Sequence, residues 1–278
     1  MGSRTGGPIG RRPADHRPLP VVVTRISKRF GRRIQTRERA EETFGLPVTA
    51  EIPASAPTEP GAAPEVEVAS RPDSPSSQAY RQLAGHIEQV RRDDRTAGQE
   101  DPGARAGFTI LIASPRDEPA RSYVAVNLAA VFAESGDRVM VATTRGLAPG
   151  PGENGSTGPS VDADDAATPA AIVSHARPSW ITGVSTLALG QLYATSEGML
   201  RSFGNFAVAA REIVDDLILE APLLESREGA ALLSVVDLIV VVCEPGRTAA
   251  EDGFESQRLL TRDMFLPVLG LVVAHAPA

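Results

Sequence analysis

The stretch ASPRDEPARSY, Ala113 to Tyr123, gathers the side chains best placed for chemistry. It lies between a continuous apolar run, FTILIAS, and a helical pattern, YVAVNLAAVFAESG. A loop leading from a buried strand into a helix presents backbone N–H groups and the positive end of the helix to an anion. Arg121 offers a cation and Ser122 a hydroxyl, and with Ala120 and Tyr123 they form the candidate nucleotide-binding group. The neighbours work against it. Asp117 and Glu118 would repel a polyphosphate, Pro119 removes one N–H donor, and Ala120 sets a Cβ where backbone and ligand should nearly touch. Asp117, Glu118 and Pro119 also suit the first turn of an ordinary helix. Three readings follow: a polar turn in a parallel sheet, weakened nucleotide binding through Arg121 and Ser122, or a fully working phosphate site.

Other chemistry finds less support. His16, His86, His175 and His275 are scattered, with no pair at metal-ligand spacing. Cys243 is the only cysteine, which excludes an internal disulfide, and its place in DLIVVVC predicts a small buried residue rather than a nucleophile. Ser114 and Ser122 lack the His and Asp order of a hydrolase, and G-x-S-x-G does not occur. Trp180 is expected in core or interface packing.

The elements that must position the loop alternate along the chain. FTILIAS, a helix closed by Gly136, and DRVMVAT form a βαβ unit with parallel strands and a right-handed crossover. A Gly/Pro/Asp-rich insert over about 145–168 follows, then a short helix in AAIVSHA, a strand ending at Gly190, and a helix pair through SEGMLRSFGNFAVAAREIV. DDLILEAP and DLIVVVCEP read as buried strands around a helix in REGAALLSV. A helix in RTAAEDGFESQRLLTRDM and a strand in VLGLVVAHA complete a doubly wound α/β domain over residues 76–278. Upstream, residues 1–20 read as disordered. Residues 21–53 read as a basic arm, helical from Thr24 to Phe44 and then extended in LPVTAEIP. Residues 54–75 read as a Pro/Ala/Ser-rich linker unable to bury a core, before a helix capped by small hydroxyl residues in SPSSQAYRQLAGHI.

The chain has 278 residues, 42% of them hydrophobic, enough for a substantial core. Residues 1–40 hold eleven Arg or Lys against Asp15 and Glu38, about +9, so the remainder carries about −16 of the formal −7. The basic segment suits an acidic partner or anionic lipid, and the acidic body argues against nucleic acid. No apolar stretch reaches the roughly 18–20 residues of a membrane span. The start lacks the apolar centre of a signal peptide, and Gly6 replaces the hydroxyl residue of a myristoylation signal.

From about Arg17 onward the sequence resembles the cytoplasmic part of bacterial polysaccharide copolymerases and their associated tyrosine autokinases, the BY-kinases, within the MinD-like P-loop ATPases. The resemblance rests on ordered pieces: GRRIQTRERAEETFGLPVTAEIP, SPSSQAYRQLAGHI against SPxSEAYRxLRTNI, SYVAVNLAAVFAESGDRVMVA, GVSTLALG, DDLILEAPLLES and DLIVVVCEPGRT. It implies that fold, ATP and Mg as cofactors of an active member, and ring assembly through the SEAYRxLR segment, which nominates Tyr80, Arg81 and Leu83 as interface residues.

Catalysis transfers poorly. Against the family loop TSxxPGEGKST, Arg121 stands at the lysine and Ser122 at the magnesium-binding hydroxyl, while Asp117, Glu118, Pro119 and Ala120 replace the Pro-Gly-Glu-Gly run. Arg cannot mimic a compact ammonium. The family LIDAD becomes VATTR, with Thr143 and Arg145 at the aspartates, and LIDAPP becomes LILEAPL, leaving Glu220 as one acid out of three. Glu220 is then a vestige or ion-pair partner; were Mg bound, Ser122 and Glu220 would hold it. With Tyr80, Tyr123 and Tyr193 as its only tyrosines, autophosphorylation on a terminal tyrosine cluster is not expected of this polypeptide. The expectation is therefore a pseudo-ATPase without a cofactor. Its expected place is cytoplasmic, peripheral at the inner face of the membrane, where it contacts a membrane copolymerase or related kinase chain, or oligomerises. The rival expectation is a divergent ATPase or tyrosine kinase using Arg121, Ser122 and Glu220.

Overall fold

The computed structural model describes residues 33–54, 66–98, 107–143, 168–189, 196–224, 232–233, 235–262 and 266–275. Eight strands form one sheet: β1 (Val48–Ile52), β2 (Phe108–Ser114), β3 (Val139–Thr143), β4 (Arg177–Pro178), β5 (Val184–Ala188), β6 (Asp216–Pro222), β7 (Leu238–Cys243) and β8 (Val268–Ala274). Their order is β1-β8-β7-β2-β6-β3-β5-β4, parallel throughout except for β4 against β5. The described helices are α1 (Arg37–Phe44), α2 (Glu67–Ser70), α3 (Pro75–Gly98), α4 (Pro119–Glu134), α5 (Pro169–His175), α6 (Ser196–Arg211) and α7 (Ala250–Arg262).

The sheet is apolar on both faces, which is why its strands read as unbroken apolar runs. Along β2, Leu111 and Ala113 join a core with Phe44, Phe203, Phe206 and Leu260, while Ile110 and Ile112 join the opposite core with Leu83, Ile87, Val124 and Leu128. Helices α1, α6 and α7 supply the first layer, and α3 and α4 the second, giving the doubly wound α/β architecture expected. Central β2 pairs with β6 on one side and β7 on the other. The chain leaves β2 for β3 beyond β6, so the order reverses beside β2. Ligands of open α/β sheets bind at the carboxyl ends of strands at such a switch.

Pro119 begins α4 with Glu118 as N-cap, as the sequence suggested. The hydroxyl cap of α3 is also present: Ser77 N–H donates to Ser74 Oγ at 3.1 Å. Four readings need correction. The helix expected over Thr24 to Phe44 is interrupted at residues 33–36, and α1 begins at Arg37, because Thr36 is extended and its Oγ1 takes the Arg39 N–H at 3.2 Å. Residues 24–32 lie outside the described residues. The extended piece of the arm is β1, an edge strand paired with β8, and Ile34, Phe44 and Ile52 are fully buried. The carboxyl end of the proposed linker is packed as well: Val66 and Val68 are buried, and Val68 N–H donates to Asn127 Oδ1 at 3.1 Å. The expected helix pair is the single helix α6, since Gly204 does not interrupt its apolar face. The short antiparallel β4 gave no sequence signal. Gly190, REGAALLSV apart from Leu232, Leu233 and Val235, and residues 1–20 and 144–167 lie outside the described residues.

Candidate functional site: a self-filled turn at the switch point

The ends of three central strands meet the amino end of α4. Ser114 closes β2, Glu220 stands near the end of β6, and Glu244 follows β7. Arg121, on the first turn of α4, is 3% exposed and makes four hydrogen bonds, all to this chain. Its Nε donates to Glu220 Oε1 at 3.0 Å, and Nη1 to Ser114 Oγ at 2.9 Å and to the Arg116 carbonyl at 3.1 Å. Its Nη2 donates to Asp117 Oδ1 at 2.8 Å. A guanidinium has five N–H donors, so most of its capacity is used within the protein. Ser122 Oγ donates to the same Glu220 Oε1 at 2.5 Å. Glu220 is 2% exposed, so the Arg121 charge is what makes its burial tolerable.

The structure therefore unites Arg121, Ser122 and Glu220, but as an internal network. Arg121 is an ion-pair partner of Glu220, the structural alternative for that acid. Thr143 faces Glu220 across the β3–β6 pairing and is buried, so no carboxylate stands at its position. Arg145 lies outside the described residues. Tyr123 is half-buried, and its carbonyl accepts from Asn127 Nδ2 at 3.0 Å, a helical contact unrelated to a ligand.

A second cluster, which the sequence reading missed, occupies the helix end itself. The Ala120 N–H, an N–H that a phosphate would take, donates at 3.2 Å to Glu244 Oε2. Glu118 does not cap α4 with its side chain; its Oε2 accepts from Thr248 Oγ1 at 2.8 Å, and Thr248 Oγ1 accepts from the Glu244 N–H at 2.9 Å. Both carboxylates are buried. Burial, with Glu244 adding repulsion, pushes the Glu118 carboxyl up to about 7, and burial also raises Glu244. The available signal was an acid directly after a fully apolar strand, in VVVCEPGRT. Cys243 beneath them is buried and its thiol is pushed up to about 12 by burial, which fits an inert packing residue.

The three interface candidates separate. Tyr80 and Leu83 are buried in the core between α3 and the sheet and are not presented to a partner. Arg81 is at the surface, with Nη2 on Glu134 Oε2 at 3.0 Å, tying α3 to α4. Tyr80 and Leu83 follow helical spacing into the core, which a motif resemblance cannot distinguish from an interface. Trp180, expected in packing, is 63% exposed. Among the described residues no group of His, Cys, Asp or Glu could hold a metal ion, and no helix is long and apolar enough to cross a membrane.

No protein-family model and no curated protein matches the chain. Solved structures do. The tyrosine kinase domain of BceF aligns over 89% of this chain and 100% of its own at 14% identity, TM-score 0.64. The chain has a BY-kinase-like P-loop fold. The chimerical protein CapA2B2 aligns over 87% of this chain and 99% of its own, at 16% identity and TM-score 0.63. The kinase domain of Escherichia coli tyrosine kinase ETK aligns over 87% and 95%, at 18% identity and TM-score 0.61. At these identities the likeness concerns the fold.

Proposed function

We propose that the chain is a catalytically degenerate BY-kinase-like protein, a binding or regulatory module in capsular or exopolysaccharide synthesis and export. One observation carries this reading: the guanidinium in the place of the phosphate-loop lysine is already bonded to Glu220, Asp117, Ser114 and the Arg116 carbonyl. Mg·ATP does not fit these residues. A triphosphate would have to displace Glu244 from the Ala120 N–H, break the Arg121–Glu220 pair and lie against Asp117 and Glu118. Each of these steps costs interaction energy, and the last two leave like charges facing one another in a poorly solvated turn.

What remains usable is the scaffold. The ordered sequence resemblance and the fold shared with tyrosine kinase domains support a place beside a membrane polysaccharide copolymerase, a related kinase chain, or further copies of itself. The basic residues of positions 1–40 suit the anionic inner face of the membrane. The rival reading is a divergent ATPase or tyrosine kinase in which Ser122 and Glu220 serve Mg and Arg121 the phosphates. Isothermal titration of the full chain with Mg·ATP separates the two. No heat and no thermal shift at millimolar nucleotide are expected; micromolar binding to the unaltered protein overturns the degenerate reading in favour of the rival.

A further inference from the structure

The cluster at the start of α4 also ties together parts of the chain far apart in sequence. The turn Glu244–Thr248 is closed by Thr248 N–H to the Glu244 carbonyl at 2.9 Å, and it carries the entry of the amino-terminal segment. Ile34 N–H donates to the Thr248 carbonyl at 2.9 Å, Gly246 N–H donates to the Ile34 carbonyl at 2.7 Å, and Arg33 pairs with Ala249. Glu118 reaches this turn through Thr248 Oγ1, and Glu244 reaches α4 through the Ala120 N–H. The two contacts run in opposite directions between the same two elements.

We propose that Glu118, Glu244 and Thr248 form a proton-operated latch. It holds the Glu244–Thr248 turn, and the segment at Arg33 and Ile34 that the turn carries, against the amino end of α4. With one proton on the carboxylate pair the latch is closed, because the pair carries a single charge. With both carboxylates ionised, two like charges share a buried site and the turn opens to let water solvate them. The charged and titratable groups facing the pair are Arg121 from α4, Arg247 on Glu244 at 2.9 Å from the turn, the neutral thiol of Cys243 from β7, and His275 after β8. Arg121 is committed to Glu220, and Arg247 is mostly exposed, so neither cancels the repulsion. The consequence is a coupling between local pH and the root of the basic amino-terminal segment.

Amide hydrogen exchange on the full chain tests this, read at Ile34, Gly246 and Thr248 and corrected for the intrinsic pH dependence of exchange. Amides of β2 and β6 serve as reference. The opening constant of the turn should rise by roughly tenfold to a hundredfold between pH 5 and pH 8 in the unaltered protein, with a midpoint near the Glu118 value. In Glu118→Gln, whose amide oxygen still accepts from Thr248, the rise should vanish while protection persists. In Thr248→Val protection at these amides should be low at every pH. His275→Asn, which removes the imidazole facing Glu244, should leave the rise in place. A pH-independent opening constant in the unaltered protein, a rise that survives Glu118→Gln, or one that disappears in His275→Asn overturns the latch.

Discussion

If Arg121 is a structural counter-ion rather than a waiting ligand for phosphate, removing it must destabilise the protein. In Arg121→Ala, Glu220 keeps the Ser122 hydroxyl but loses the only guanidinium near it among the described residues, and it is 2% exposed. Breaking a buried ion pair by deleting one partner costs roughly 3–5 kcal/mol. The remaining Ser122 bond argues for the low end, about 3 kcal/mol, and the orphaned Ser114 and Arg116 groups still bond to each other. For a chain of this size that corresponds to a fall of roughly 6–12 °C in melting temperature. The informative companion is Arg121→Met with Glu220→Leu, which removes both charges at similar volume and should recover most of the loss. Differential scanning calorimetry at neutral pH reads both. A single variant within about 1 kcal/mol of the unaltered protein, or a double variant as unstable as the single, refutes the counter-ion argument. A cation held ready for an anion would give the opposite sign: its removal would relieve repulsion and leave stability unchanged or higher.

Global stability should also respond to pH through Glu118. Its carboxyl is raised to about 7 in the folded protein, so the unfolded chain loses this proton first. The native state then binds more protons between about 4.5 and 7, and stability attributable to Glu118 falls as pH rises through that window, by up to about 3 kcal/mol. Thermal melts at pH 5 and pH 7.5 should show a larger drop for the unaltered protein than for Glu118→Gln; equal drops would refute the assignment. At the sheet edge, Gly270 has φ +145°, and a Cβ there would lie 2.8 Å from the Pro47 carbonyl oxygen, which accepts the Leu271 N–H at 2.9 Å. Gly270→Ala should cost about 2 kcal/mol and loosen β1, measured as proteolysis or exchange confined to residues 46–52; an unchanged edge would show that the backbone accommodates a side chain.

The amino-terminal third shows where sequence pattern and packing part. Val48, Ala50 and Ile52 alternate in a short run after a Gly-Leu-Pro stop, and nothing local distinguishes an isolated extended piece from the outermost strand of a sheet whose partner, β8, lies some 220 residues away. Val66 and Val68 sit in a stretch whose Pro and Ala content reads as linker, yet two apolar residues suffice to pin it once a groove beside Asn127 exists. Tyr80 and Leu83 carry the helical period that places them in the core, and that period outweighs the motif that nominated them for an interface.

The sequence by itself determined the βαβ unit around the turn, the double burial of the central strands, and the loss of an anion-friendly lining at Asp117 to Ala120. All of these are local: apolar periodicity, a proline at a helix start, acids where a proline and a glycine would serve. Tertiary structure alone decided what fills the turn instead. The bond from Arg121 to Glu220 joins residues 99 apart, and those from Ala120 to Glu244 and from Glu118 to Thr248 join residues 124 and 130 apart. Such pairings exist because parallel strands bring their carboxyl ends to one edge of the sheet, where distant residues must satisfy one another's charge or expose it to water.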